Sequence, residues 1–182
     1  ELSLKPKDGK QPPILSGLEL IRTGDSTKPK PASLRYPQAW PDGVSTITLQ
    51  PIADSRVSLK YPTRNEGANA TLGMDGGSRD MQDESYSMVY LKFRLPKIPG
   101  RPIGAKLRLR CLGDGSRDAG NVYLVPNDWN EMEITYEKRP APLRRIGKVG
   151  NVGRNATVHS QLALAFEGDE ISILLRPTST DG

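Results

Sequence analysis

Two short stretches of this chain alternate so strictly that each has to send its apolar residues one way and its cations the other. In residues 88–95 (MVYLKFRL), Val89, Leu91, Phe93 and Leu95 share one phase, opposite Tyr90, Lys92 and Arg94. In residues 105–112 (AKLRLRCL), Ala105, Leu107, Leu109 and Cys111 oppose Lys106, Arg108 and Arg110. Successive side chains of a strand point to opposite faces of a sheet, so this alternation assigns both stretches to strands. One face of each is then core and the other wet, as in antiparallel sheets, and the wet face is cationic on both strands.

The remaining chain suits a fold built from such strands. Its 182 residues allow one domain with a real core plus a small extra piece. Eighteen Gly and sixteen Pro supply many turns. Strand signals recur at residues 45–50, 55–59, 70–74, 88–95, 105–112, 121–125, 133–136, 157–164 and 170–176, the last with Ile171, Ile173 and Leu175 inward. Between them lie Gly76-Gly77, Pro99-Gly100, Gly113-Asp114-Gly115, Asp118-Ala119-Gly120 and Gly168-Asp169. Many short strands without a long amphipathic helix predict an all-β, antiparallel β-sandwich of the jelly-roll type. The final strand signal ends near the end of the chain, so a closing strand is expected to be missing. No internal repeat points to a solenoid or propeller.

Residues 12–22 (PPILSGLELIR) read as a turn and a strand, and residues 25–45 as a Pro-rich linker in which Pro29, Pro31, Pro37 and Pro41 remove backbone donors. The expected organisation is therefore 1–24 as the terminal strand of a preceding domain, 25–45 as linker and 46–182 as the sandwich. The opening ELSLKPKDGK has no apolar core of a signal peptide and reads as the middle of a longer chain. No stretch approaches the roughly 20 apolar residues that span a bilayer.

A formal net charge of +5 predicts attraction to polyanions, nucleic acid or acidic polysaccharide among them. Zinc-finger spacing, a helix-turn-helix and an RNP-like aromatic stretch are all absent, so specific nucleic-acid binding is not expected. Catalysis is not expected either. His159 is the only histidine and lies in a strand, no G-x-S-x-G motif is present, and the carboxylates near one another, Glu131 with Glu133 and Asp80 with Asp83 and Glu84, suit solvated loops. Cys111, the only cysteine, falls in the inward phase and is expected to be buried; it has no partner for an internal disulfide.

The order of these signals resembles a known family. Residues 53–57 (ADSRV), 61–67 (YPTRNEG) and 70–72 (ATL) resemble the opening of DNRLRE-type domains, and Tyr90-Leu91-Lys92-Phe93 and residues 105–109 (AKLRL) resemble their next two strands. Val122-Tyr123, residues 129–131 (WNE), 134–136 (ITY) and Arg139-Pro140 are similar to the run that follows. The chain departs from the pattern at Arg94, where an acid is common, and at Tyr136, where Trp is common. The resemblance implies a jelly-roll module of secreted polysaccharide-active or surface proteins, with alginate binders among its relatives. Residues 14–21 (ILSGLELI) resemble the final strand of a malectin-like domain.

Jelly-roll carbohydrate modules often carry a structural calcium, and Asp54, Asn65 and Glu66 are the oxygen donors expected to hold one here. The loop carrying Asp75, Asp80 and Asp83 is a second candidate without EF-hand spacing. For neutral sugars the candidate platforms are Tyr61, Tyr86, Tyr90 and Trp40, with Trp129 expected as a packed anchor. For acidic sugars, residues two apart along a strand lie about 6.5 to 7 Å apart, close to a uronate repeat. The expected face is Tyr90, Lys92, Arg94, Lys106, Arg108 and Arg110, provided both strands share a sheet. With these residues, the resemblance implies a non-catalytic, extracellular polysaccharide-binding module with an acidic ligand and covalently linked neighbours. A structural or adhesive spacer without specific glycan binding is the alternative. Asn69-Ala70-Thr71 and Asn155-Ala156-Thr157 fit the N-glycosylation sequon.

Overall fold

The structure is a computed structural model that describes residues 15–22, 45–77, 83–97, 102–164 and 168–179. Trp40, Asp80 and all but the last residue of the expected linker lie outside them. Among the described residues nine strands form two antiparallel sheets. They are β1 (Leu15–Arg22), β2 (Ser45–Leu49), β3 (Pro51–Ser58), β4 (Ser87–Arg94), β5 (Pro102–Arg110), β6 (Asn121–Val125), β7 (Arg144–Lys148), β8 (Thr157–Leu162) and β9 (Glu170–Arg176). One sheet has the order β2-β1-β5-β8 and the other β3-β4-β9-β6-β7.

The inward phases meet between the sheets. Val89, Leu91 and Phe93 of β4 and Ile171, Ile173 and Leu175 of β9 face Ala105 and Leu107 of β5 and Leu162 of β8 in one buried cluster, joined by Val122 and Ile146. Burial of these side chains contributes roughly 1.5 to 3 kcal/mol each for the larger ones. At Gln50 the chain passes from β2 to β3 and so from one sheet to the other. Across the sandwich the sheets are tied where the Ala163 N–H donates to the Ile146 carbonyl at 2.7 Å and the Ser160 hydroxyl to the Lys148 carbonyl at 2.5 Å.

Three expectations about elements change. Residues 133–136 form no strand. The Glu133 and Ile134 N–H groups both donate to the Asn130 carbonyl, at 3.1 and 2.9 Å, which coils the segment into a turn. Residues 70–74 form no strand either, and only Asp75 bridges to Ser87. β7 was not expected, since in RRIGK only Ile146 is buried and an edge strand with one apolar anchor has no visible period. In addition, residues 15–22, expected at the end of a preceding domain, are hydrogen-bonded into this sandwich between β2 and β5.

The outer side of the five-stranded sheet carries a second core. Tyr86, Met88 and Tyr90, with Val57 from β3 and Leu174 from β9, pack against Val125, Trp129 and Ile134 from the connection between β6 and β7. Residues 126–143 thus lie across that sheet as a roof. β4 is therefore buried on both faces along most of its length, and only Arg94 at its end is exposed.

Candidate functional site

The two sets of outward residues lie in different sheets, with β4 in the five-stranded and β5 in the four-stranded one. The single face expected from Tyr90, Lys92 and Arg94 together with Lys106, Arg108 and Arg110 is not formed. Tyr90 is 1% exposed, and its hydroxyl donates to the Pro140 carbonyl at 3.0 Å. Burial pushes that phenol far above its ordinary pKa, so it is a neutral part of the roof contact and presents no ring to solvent. Tyr86, another expected platform, is buried and receives a hydrogen bond from Arg176.

Lys92 is half-buried, and its ammonium donates to the Trp129 carbonyl at 2.6 Å while sitting 4.8 Å from the centre of that indole. Trp129 is 8% exposed and donates from Nε1 to the Ser172 hydroxyl at 3.0 Å, the packed anchor expected of it. Lys92 therefore holds the roof. Arg94 pairs with Glu170 across the strands at 3.1 Å, an exposed pair at the end of the sheet.

On β5 the alternation survives folding. Ala105 and Leu107 are inward, Lys106 and Arg108 are half-buried on the other face, and Arg110 is exposed. The register sets Gln161, His159 and Thr157 of β8 opposite Lys106, Arg108 and Arg110. His159 and Thr157 are exposed and Ser160 and Leu162 buried, so β8 shares the phase of β5. The outer face of this sheet thus presents three cations in a line with a histidine beside the middle one. Sequence alone had placed His159 in a strand, but its meeting with Arg108 needed the register.

The residues expected around calcium are engaged with neighbouring residues of the roof and of β3 and its loop. Asn65 donates from its amide to the Glu131 and Ile134 carbonyls, at 2.7 and 2.8 Å, and accepts from the Gly67 N–H at 3.2 Å. Glu66 is buried with the Arg56 guanidinium 3.7 Å away. The Asp54 N–H donates to the Glu131 carboxylate at 2.9 Å, and burial, with that carboxylate adding to it, raises the Asp54 pKa to about 6. A Cβ on Gly67 would lie 2.1 Å from the Glu131 carbonyl oxygen, so only glycine lets the two chains approach so closely. These residues form a seam that pins the roof to β3. Among the described residues no three His, Cys, Asp or Glu side chains gather where they could hold a metal ion.

At one end of the sandwich a cavity of about 620 Å³ opens between the sheets, walled by Leu72, Met74, Leu91, Leu109 and Leu175. Arg110 and Cys111 also line it. The cysteine, expected to be buried, is half-buried just past β5, with its thiol directed to the Asp114 carbonyl at 3.3 Å. None of the described lining residues is aromatic, so the cavity offers no stacking platform for a sugar.

One ring does. Tyr61 is 44% exposed on the loop after β3, with Lys60 and Arg64 beside it. Of the three candidate platforms among the described residues it is the one left open, Tyr86 and Tyr90 being buried.

A family model describing carbohydrate-binding module family 96 matches residues 45–181. The chain belongs to that family. The match begins at the first residue of β2 and takes in β2 to β9 and the roof, leaving β1 before it. No curated protein matches the chain. The family is one of carbohydrate binders. No helix among the described residues is long and apolar enough to cross a membrane.

Proposed function

We propose that the module binds an acidic polysaccharide of the uronan type along the outer face of the four-stranded sheet. The observation that carries this reading is the line of Lys106, Arg108 and Arg110 on β5, opposite Gln161, His159 and Thr157. Same-face positions two apart repeat about every 6.5 to 7 Å, within side-chain reach of successive carboxylates on an extended uronan. Arg108 and Arg110 add planar forks for carboxylate, and His159 and Gln161 supply hydrogen bonds to hydroxyl groups. Lys92 and Arg94 take no part, being engaged with the roof and with Glu170.

The ligand class and the place of action go together. Acidic glycans of this kind are matrix and wall polymers, so the module works outside the cell, attached to further domains of a polysaccharide-active or surface protein. Binding is salt-sensitive, because added salt screens the attraction between the basic face and the polyanion.

Affinity electrophoresis against alginate, polygalacturonate, a neutral glucan and duplex DNA tests this at low and high salt. Retardation by the uronans, lost in Arg108→Ala/Arg110→Ala, is the expected result. Equal retardation by DNA would reduce the face to a general polyanion binder, and no retardation by any glycan would favour a spacer.

A further inference from the structure

The loop that follows β3 carries a feature separate from the basic face. Tyr61 is 44% exposed, the Arg64 guanidinium lies 5.4 Å from its ring centre and the Lys60 ammonium 5.7 Å. Both distances are within the range of cation–π attraction, so the three side chains form one patch. Among the described residues neither cation has a carboxylate within ion-pair distance.

The backbone beneath the patch is held at several points. The Tyr61 N–H donates to the Ser58 carbonyl at 3.3 Å, the Arg64 N–H to the Tyr61 carbonyl at 3.0 Å, and the Glu137 N–H to the Pro62 carbonyl at 3.0 Å. Asn65 then clamps the far side of the loop to the roof through its two carbonyl contacts. A large ring is thus kept in water by a stiff loop, whereas the neighbouring aromatics Tyr86, Tyr90 and Trp129 are all buried. Exposing a tyrosine forgoes the stabilisation its burial would bring, so a fixed, exposed ring between two cations is suited to a ligand.

We propose that Tyr61, Lys60 and Arg64 form a second glycan subsite, which takes one anionic pyranose. The apolar C–H face of the sugar lies on the Tyr61 ring, and its carboxylate or sulfate is held by Arg64 and Lys60. The hydroxyl of Tyr61 is not needed for this, since stacking uses the ring. Glu137 and Lys138 adjoin the loop through the Pro62 contact; both are exposed, and their charges offset one another. The subsite stands on the loop after β3, in the five-stranded sheet's half of the molecule, while the proposed main face lies on the four-stranded sheet. The two therefore engage different segments of a polymer, or two chains. Carbohydrate binding by the module is the premise of this inference.

The test uses calorimetry on the full chain with a uronate tetrasaccharide, a sulfated galactan oligosaccharide and a neutral gluco-oligosaccharide, alongside proton NMR of the sugar. The expected result is a loss of about tenfold or more in uronate affinity for Tyr61→Ala, with the upfield ring-current shift of the sugar protons lost too. Tyr61→Phe keeps both, and Arg64→Ala weakens the charged ligands but not any residual neutral binding. The uronate and sulfate arms tell which anion the patch prefers. If Tyr61→Ala binds as the unmodified protein does while Arg108→Ala/Arg110→Ala does not bind, the subsite is refuted and the main face stands. If the unmodified protein binds no glycan, both fall.

Discussion

β4 and β5 carry nearly the same alternating pattern, yet the outward phase of one starts with two buried core residues, whereas that of the other, from Lys106 to Arg110, is half-buried or exposed throughout. On β4 the outward phase is roofed by residues 126–143, so Met88 and Tyr90 are core and Lys92 is a tether under Trp129. On β5 the outward phase has no such cluster packed on it, and Arg110 is exposed and Lys106 and Arg108 half-buried. Alternation thus reports only that neighbouring side chains leave a strand in opposite directions. It says nothing of what comes to meet them.

The comparison breaks most sharply at the roof's anchor. Trp129→Ala should cost about 3 to 5 kcal/mol, seen as a lower midpoint in urea unfolding, because it empties a packed site, takes the indole from beside the Lys92 ammonium and leaves the Ser172 hydroxyl without its donor. An unchanged midpoint would mean that the roof does not stabilise the sheet beneath it. Asn65→Ala should cost about 2 to 3 kcal/mol, since the Glu131 and Ile134 carbonyls lose a shared donor.

A pH titration probes the same seam. The folded-state pKa of Asp54 is raised from 3.8 to about 6, so the folded protein holds this proton more tightly than the unfolded chain. Its contribution is fully present below pH about 3.8 and is lost as pH rises through about 6. Asp54→Asn should therefore be the more stable protein at pH 7, by on the order of 1 to 2 kcal/mol after allowance for solvent screening, and should flatten the stability change between pH 4 and 6. Equal pH profiles for the two proteins in chemical denaturation would remove the seam from the account.

Substitutions at exposed cations should show small effects on stability. Arg94→Ala removes an exposed ion pair and should cost under about 1 kcal/mol. Arg110→Ala should shift the unfolding midpoint by no more than about 0.5 kcal/mol while weakening uronan retardation. A large loss of stability on that change would mean that the cations of β5, like Lys92, serve the fold.

Much of the fold was legible because its signals are local. The strands β6 and β9 occur where their alternating residues put them, and the inward phases of β4, β5 and β9 meet in the main core. Failures came where a local pattern competed with hydrogen bonds made elsewhere. Residues 133–136 alternate like a strand, but their N–H groups turn back to Asn130 and their Ile134 carbonyl serves Asn65. The candidate site was half legible. Lys106, Arg108 and Arg110 followed from period alone, and the company of Lys60 and Arg64 at Tyr61 was visible as K-Y-P-T-R, without any sign of which tyrosine would stay exposed.

The amino-acid sequence by itself determined that this chain makes antiparallel strands, which side chains face inward on them, and that it carries a surplus of cations on β4 and β5. Only the tertiary structure decided which of those cations are roofed over and which lie on an outer face. The reason is physical: a side chain's direction is set by its own backbone, whereas its exposure is set by whatever packs against it, here a roof fixed by Trp129 and Asn65 across 37 and 66 residues of sequence.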